Sequence, residues 1–156
     1  METTYIEIDS PDKHLSDVLE EIPSNVILYK TLTGIGATYS EIKAQRHSII
    51  IEPNVPVIIG KCNSAKHKND NLLGVYEGVT TDRIIKYLGA SRGKYYKILT
   101  TPESFTKVKD AFLIFNGKIY NTCFLLIDEA HKTIKDVDYR SDIVLPMTVS
   151  YTHLTL

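Results

Sequence analysis

The segment Phe124–Ile127, followed by Asp128 and Glu129, places the strongest constraint on how this chain folds. A short continuous apolar run is typical of a parallel strand that is buried on both faces. Two acids directly after it would lie at the carboxyl edge of a sheet, which is the edge where open α/β sheets bind ligands. The segment therefore predicts an α/β fold with carboxylates at a ligand-binding edge.

Two carboxylates in this position suit phosphoryl transfer. One can hold Mg²⁺ on nucleotide phosphates, and the other can orient or deprotonate the attacking water. The alternative for Asp128 is an acid that caps the turn after a strand.

A second segment has the order that a phosphate-binding loop requires. Val26–Tyr29 is typical of a short buried strand, a loop with Gly34 and Gly36 follows, and helix-compatible residues come next. Glycines let backbone N–H groups curl around a phosphate, and the amino end of a helix adds its dipole. Thr38 stands where a P-loop hydroxyl would bind Mg²⁺, but Ala37 stands where that motif has lysine. Taken alone, the two glycines fit a plain turn better than a phosphate loop.

Three segments in this order resemble the first RecA-like domain of superfamily 2 helicases of the DEAD/DEAH-box type. Residues 33–38 correspond to motif I, residues 101–103 to motif Ib and residues 128–131 to motif II. Residues 49–58, an apolar strand that ends in a proline-containing turn, resemble motif Ia. Motif II, Asp-Glu-Ala-His, matches fully, whereas motif I departs at Ala37.

The resemblance implies a RecA-like P-loop NTPase fold, with a mostly parallel sheet flanked by helices, and it implies ATP and Mg²⁺ as cofactors. Thr38 and Asp128 would hold Mg²⁺, Glu129 would orient the water, and His131 would couple the nucleotide to nucleic acid. The backbone of the loop would hold the phosphates through Thr33, Gly34, Ile35, Gly36, Ala37 and Thr38. DNA or RNA and a second RecA-like domain would be partners in the complete protein. Without that domain and the motif I lysine, this chain is expected to be inactive in isolation.

The charges are unevenly distributed along the chain. Residues 1–25 carry seven acids against one lysine, a net charge of −6, whereas residues 61–97 carry eight bases against three acids, a net charge of +5. A local basic segment is what contact with a phosphate backbone requires. The predicted nucleic-acid contacts are Lys66, Lys68 and Lys94, together with Thr101 and Pro102 from the motif Ib resemblance. The alternative is an ordinary solvated surface.

Composition narrows the class of protein. At 156 residues, 43% hydrophobic and 24% charged, the chain fits one globular domain and contains no apolar run long enough to span a membrane. The amino terminus does not resemble a signal peptide. Cys62 and Cys123 are isolated, which indicates reduced thiols in a cytoplasm and argues against a zinc site.

Apolar runs alternate with helical patterns along the chain, which predicts a parallel sheet with right-handed crossovers. The strand candidates are 48–52, 72–76, 96–100 and the run before Asp128. Thr81 and Asp82 can cap one helix. Pro102 stands at the first position of another helix, which ends at Gly117 and has an apolar stripe of Phe105, Val108, Phe112 and Phe115.

We expect an acidic leader at 1–25, a RecA-like ATP-binding domain at 26–148 and a tail at 149–156 that resembles translated adapter read-through. A genuine terminal strand is the alternative for this tail, and in either case the resemblance implies a truncated helicase core.

Two other functions stay open. Ala37 favours a scaffold that binds nucleotide or nucleic acid without hydrolysis. The second alternative is a plain α/β interaction domain with neither activity.

Overall fold

Within the described residues, four parallel strands form one sheet in the order β2-β3-β1-β4. The strands are β1 (Ser48–Ile51), β2 (Leu72–Val75), β3 (Lys97–Thr100) and β4 (Phe124–Ile127). The computed structural model describes residues 5–8, 10, 12–28, 34–115 and 117–128. Helices flank the sheet, so the predicted α/β class with a parallel sheet is confirmed.

The chain divides into two compact units, residues 1–44 and residues 45–156. The first unit contains α1 (Leu15–Val18) and α2 (Ala37–Lys43). The start of α1 is joined to the loop before α2, because the backbone N–H of Leu15 donates to the carbonyl of Ile35 at 2.8 Å. The boundaries expected at residues 25 and 148 stay predictions.

The strand expected at Val26–Tyr29 does not form over its described residues. Residues 26–28 have no strand conformation, and Val26 and Ile27 are 52% and 71% exposed. A short apolar run becomes a buried strand only when another backbone completes its ladder and other side chains cover its faces. Tyr29 lies outside the described residues.

The second unit contains the sheet and four α-helices within the described residues, with a short 3-10 helix at Ala65–His67. The α-helices are α3 (Val55–Asn63), α4 (Thr81–Ala90), α5 (Phe105–Phe115) and α6 (Ile119–Thr122). Among the residues that the structure describes, no helix is long and apolar enough to cross a membrane.

Local sequence explains where most of these helices begin and end. Pro56 stands in the first turn of α3, where its missing N–H costs no hydrogen bond. Thr80, and not Thr81 or Asp82 as predicted, caps α4, because its Oγ1 accepts the N–H of Arg83 at 3.3 Å.

The turn after β3 delays the next helix. We predicted that α5 begins at Pro102, but it begins at Phe105, after a turn in which the carbonyl of Pro102 accepts the N–H of Phe105. At the other end, the N–H of Gly117 donates to the carbonyl of Phe112 at 2.8 Å and closes the helix, as predicted.

The two faces of the sheet are covered by different helices. Ile49, Ile51 and their neighbours in register pack against α4 and α5 through the buried side chains Ile84, Leu88, Val108, Ala111 and Phe112. Successive side chains on a strand point to opposite faces. Gly74 lies between Leu73 and Val75 of that first face, so it faces the other side, where α3 approaches it through Ile58. Crossovers therefore lie on both faces of the sheet.

Candidate functional site

The carboxyl ends of β4, β1 and β3 are joined by the residues that follow them. Asp128 donates its backbone N–H to the carbonyl of Ile51 at 3.0 Å, and Glu52 donates to Thr100 at 2.9 Å. Thr101 continues the pattern by donating to the carbonyl of Val75 at 3.1 Å. Asp128, Glu52 and Thr101 therefore occupy equivalent positions along one edge, where we expected Asp128 to lie.

The connections that leave this edge lead to opposite faces. The chain leaves β1 toward α3 on one face, whereas it leaves β3 toward α5 on the other. Adjacent strands whose connections diverge in this way create a crevice at their carboxyl ends, which is the usual ligand site of open α/β sheets. For this sheet the rule predicts a ligand site between the ends of β1 and β3, beside Glu52 and Thr101.

Glu52 is an edge carboxylate that sequence reasoning did not select. It is 3% exposed, and its Oε1 accepts the backbone N–H of Asn54 at 3.1 Å. Since Ile51 and Ile127 are paired in register, Glu52 and Asp128 are at equivalent positions of adjacent strands. The available signal was that Glu52 follows the apolar run of β1 just as Asp128 follows that of β4.

Thr101 and Pro102 are more buried than a nucleic-acid contact requires. Thr101 is 5% exposed and Pro102 is also buried, whereas Glu103 is the exposed residue of this turn. The hydroxyl of Thr100 donates to the carbonyl of Thr101 at 3.0 Å, which further fixes the turn. The direct contribution of Thr101 to binding a phosphate backbone stays a prediction.

The carboxylates at this edge suit a cation whose coordination is completed mainly by water and phosphate oxygens and not by the protein. Among the described residues, no group of three His, Cys, Asp or Glu side chains could hold a metal ion. Mg²⁺ typically needs only one or two protein carboxylates, with waters and substrate phosphates completing its octahedron. Asp128, half-buried at the edge, fits that requirement.

The predicted phosphate loop belongs to the first unit. Gly34 and Gly36 have φ angles of 79° and 80°, a left-handed conformation that glycine adopts without strain. Gly36 precedes α2, so Ala37 and Thr38 lie in its first turn, 5% and 6% exposed. The loop therefore has the backbone turns that the glycines predicted, whereas the side chains of Ala37 and Thr38 are largely buried.

Several predicted site residues lie outside the described part of the chain. They are Thr33 of the loop, Glu129 and His131 of motif II, and the tail at 149–156.

The predicted basic contacts lie at the edge opposite Asp128. Lys66 and Lys68 are exposed in the connection that leads into β2, and Lys94 is exposed in the connection that leads into β3. In a parallel sheet these are the amino ends of the strands, about 13 Å from the carboxyl edge for a four-residue strand. The structure thus separates the three lysines from Thr101 and Pro102.

His47 and Lys97 lie near one another at the amino edge, where Lys97 is buried and His47 is half-buried. Lys97 is 2% exposed and its Nζ donates to Ser48 Oγ at 3.0 Å. His47 Nδ1 accepts the backbone N–H of Tyr96 at 2.9 Å, so this nitrogen carries no proton. Burial, and secondarily the charge of Lys97, lower the pKa of His47 below its ordinary value.

Replacing Lys97 by methionine is expected to raise the pKa of His47, because the nearby positive charge is lost. The pKa should stay below its ordinary value, since burial is the larger cause. A pH titration followed by the imidazole resonances in NMR measures it, and Lys94→Met on the exposed loop is the control. An unchanged pKa in Lys97→Met would contradict the predicted repulsion.

The lowered pKa of His47 makes the stability of the fold depend on pH. The unfolded chain binds a proton on His47 more readily than the folded one. The stabilisation that neutral His47 gives the fold is therefore fully present above about pH 6.5, the pKa of His47 in the unfolded chain. It is lost as the pH falls from there to the lower pKa of His47 in the folded chain.

Both cysteines are free thiols, as predicted. Burial raises the pKa of Cys62, and it raises the pKa of Cys123 to about 12. Thiolates are the reactive and metal-binding form of cysteine, so these side chains are poor nucleophiles and poor ligands at neutral pH.

No protein-family model, curated protein or solved structure matches this chain. The helicase resemblance therefore rests on the motif residues, and the activity that it implies is a proposal.

Proposed function

We propose that this chain is the nucleotide-binding domain of a nucleic-acid-dependent ATPase that resembles superfamily 2 helicases. The observation that carries the proposal is Asp128 at the carboxyl edge of a sheet whose four described strands are parallel, beside the end of β1. Parallel α/β sheets bind ligands at this edge, and a carboxylate there is a suitable Mg²⁺ ligand. The connections that follow β1 and β3 lie on opposite faces of the sheet, which supports the same edge as the ligand site.

Each motif residue has a separate role in this proposal. Asp128 would hold Mg²⁺ on the nucleotide phosphates, Glu129 would orient the attacking water and His131 would act in coupling to nucleic acid. Within the first unit, the glycine turns at Gly34 and Gly36 would present backbone N–H groups to a phosphate, and the resemblance gives Thr38 the role of a Mg²⁺ ligand. Magnesium supplies charge neutralisation when bound. The free thiols agree with a reducing cytoplasm as the proposed compartment.

A second candidate is a domain that binds nucleotide without hydrolysing it. Ala37 supports this candidate, because the ammonium that would neutralise the β- and γ-phosphates is replaced by a methyl group that is 5% exposed. Both candidates require nucleotide binding, whereas a plain interaction domain requires none.

Thermal unfolding with ATP, in Mg²⁺ and in EDTA, tests the proposal. A ligand that binds only the folded state stabilises it by about 2.7 kcal/mol at a hundred times its Kd. We expect a larger stabilisation with Mg²⁺ than with EDTA, and we expect Asp128→Asn to remove the difference without lowering the melting temperature of the unliganded chain.

Asp110→Asn is the matched control, because Asp110 is an exposed aspartate on α5, away from the carboxyl edge. It should keep the full Mg²⁺ dependence. Equal stabilisation in Mg²⁺ and EDTA would remove Asp128 as a magnesium ligand, and no stabilisation by ATP at all would favour the interaction domain.

A further inference from the structure

We propose that the connections at the amino ends of the four strands form a binding surface for single-stranded nucleic acid, at the edge opposite Asp128. We call it the amino-edge surface, and it comprises the described residues of 45–47, 64–71, 91–96 and 117–123. Its function is independent of nucleotide binding, because it uses none of the residues of the carboxyl edge.

The two edges of the sheet carry opposite net charges. Within the described residues, the amino-edge surface carries six bases and one acid: Arg46, Lys66, Lys68, Arg92, Lys94 and Lys118 against Asp70. The described connections at the carboxyl ends carry four acids and no base: Glu52, Glu77, Glu103 and Asp128. A polyanion is therefore attracted to one edge and repelled from the other.

The basic residues of the amino-edge surface differ from those of the basic stretch 61–97. Lys97 falls in the basic stretch 61–97 but is buried, and Arg83 and Lys86 of that stretch lie on α4. Arg46 and Lys118 lie outside the stretch and join the surface because the strands that follow them are neighbours in the sheet. The binding surface is thus defined by the edge of the sheet and not by a segment of sequence.

Hydrogen bonds hold the connections beside one another. Asn71 Nδ2 donates to Ser91 Oγ at 2.9 Å and to the carbonyl of Tyr95 at 3.2 Å, which joins the connections before β2 and β3. Tyr87 adds to this junction, since its hydroxyl donates to the carbonyl of Asn71 at 2.6 Å and accepts the N–H of Lys97 at 2.8 Å.

His47 joins the remaining connections. Its Nδ1 accepts the N–H of Tyr96 ahead of β3, and its carbonyl accepts the N–H of Phe124 at 2.8 Å at the start of β4. At about 4.8 Å between strands, the four connections together span about 14 Å. Backbone positions along the surface are thereby set before a ligand binds, which lowers the ordering cost of binding.

An exposed aromatic ring lies among these charges. Tyr95 is 46% exposed and packs edge-on against His47, with ring centroids 5.5 Å apart. Exposed aromatic rings beside basic side chains are how sequence-tolerant proteins hold unpaired bases, because every base has a face that can stack. A duplex, polyphosphate or acidic protein segment offers no unpaired base for this ring, so single-stranded nucleic acid is the best match.

Fluorescence anisotropy with a labelled oligothymidine tests the charges. Arg92→Glu/Lys94→Glu changes the surface, and Arg83→Glu/Lys86→Glu on α4 is a control with the same residue types, exposure and charge change. We expect the first variant to bind at least about tenfold more weakly, with a salt slope shallower by about 1.4 if each residue contacts one phosphate. The control should retain the wild-type slope. Equal losses in both variants would overturn the surface.

Two further measurements test the type of ligand. Tyr95→Ala should weaken oligothymidine binding by roughly 5- to 150-fold, whereas Tyr95→Phe should keep most of it, because stacking needs the ring and not the hydroxyl. Inorganic polyphosphate, which has no bases, should compete poorly. Full binding by Tyr95→Ala, or displacement by polyphosphate or duplex DNA as effective as by oligothymidine, would overturn the assignment to single strands.

The surface and the proposed function can fail separately. Arg92→Glu/Lys94→Glu should melt as the wild type does and keep any Mg²⁺-dependent stabilisation by ATP, and Asp128→Asn should keep oligothymidine binding. Loss of oligothymidine binding in Asp128→Asn would contradict the independence of the two edges.

Discussion

Ala37→Lys is expected to tighten ATP binding by roughly 10- to 150-fold, the effect of a charged hydrogen bond worth about 1.5–3 kcal/mol. Ala37 directly follows Gly36, whose left-handed conformation starts α2. An ammonium from this position would neutralise charge on the β- and γ-phosphates. Titrations with ATP, ADP and AMP measure the gain, which should be largest for ATP.

Ala37→Met is the matched control, because it adds a chain of similar bulk without the charge. Ala37 is 5% exposed, so either side chain has a packing cost of about 1–3 kcal/mol, unless its stem reaches the surface. Equal ATP affinities for the lysine and methionine variants would contradict the assignment of this loop to phosphate.

We expect no useful ATP turnover by the chain with alanine at this position, because no ammonium neutralises the charge on the transferred phosphate. Loss of one preorganised electrostatic donor costs on the order of 10²–10³ in rate at comparable sites. Phosphate release measured with Mg²⁺ and oligothymidine checks this, and robust turnover by the unmodified chain would contradict it.

Gly74→Ala is expected to lower the free energy of unfolding by about 1–3 kcal/mol. A Cβ atom at Gly74 would lie 2.8 Å from Cγ2 of Ile58 and 3.3 Å from Sγ of Cys62. Both contacts come from α3, and Ile58 is fully buried, so this neighbour has little room to move. Urea unfolding measures the loss.

A double-mutant cycle shows whether this close approach is the cause. Ile58→Ala should cost about 2–5 kcal/mol alone, because it removes Cγ2 and leaves a cavity. Combined with Gly74→Ala, the loss should be smaller than the sum by at least about 0.5 kcal/mol, since the new methyl group enters the vacated space.

Gly60→Ala, in α3, is expected to have the opposite effect on stability from Gly74→Ala. Nothing lies within 4 Å of a Cβ atom at Gly60, which is exposed in α3. Alanine there should stabilise the chain by about 0.5–1 kcal/mol through helix propensity. A neutral Gly74→Ala or a strongly destabilising Gly60→Ala would contradict the packing of α3 on β2.

Apolar periodicity predicted the strands of the sheet closely. The runs at 48–52, 72–76 and 96–100 became β1, β2 and β3 within one residue, and the run before Asp128 became β4. Such runs are informative because a strand buried on both faces needs apolar residues throughout. Val26–Tyr29 has the same composition, but its described residues form no strand, because pairing with another backbone is not encoded in four residues.

Local chemistry predicted the helices less well at their ends than at their centres. The apolar stripe of α5 was anticipated at Phe105, Val108, Phe112 and Phe115. Its start was placed three residues early, because a proline suits both the first turn of a helix and the tight turn observed after β3.

The position of Asp128 at the end of an apolar strand was already evident in the amino-acid sequence, because the acids directly follow the run and chain order determines which end they occupy. Residue order also set the glycine turns at Gly34 and Gly36, where a left-handed backbone favours glycine. Both features are determined by residues that are adjacent in the chain, so they can be read from the amino-acid sequence.

Strand order was decided only by the tertiary structure. The arrangement β2-β3-β1-β4 puts Glu52 beside Asp128, buries Lys97 against Ser48 and gathers Arg46 and Lys118 with the lysines of the stretch 61–97. Residues distant in sequence become neighbours through backbone pairing and through packing of helices on both faces. Both processes depend on the whole sheet, so no local pattern specifies which charges share an edge.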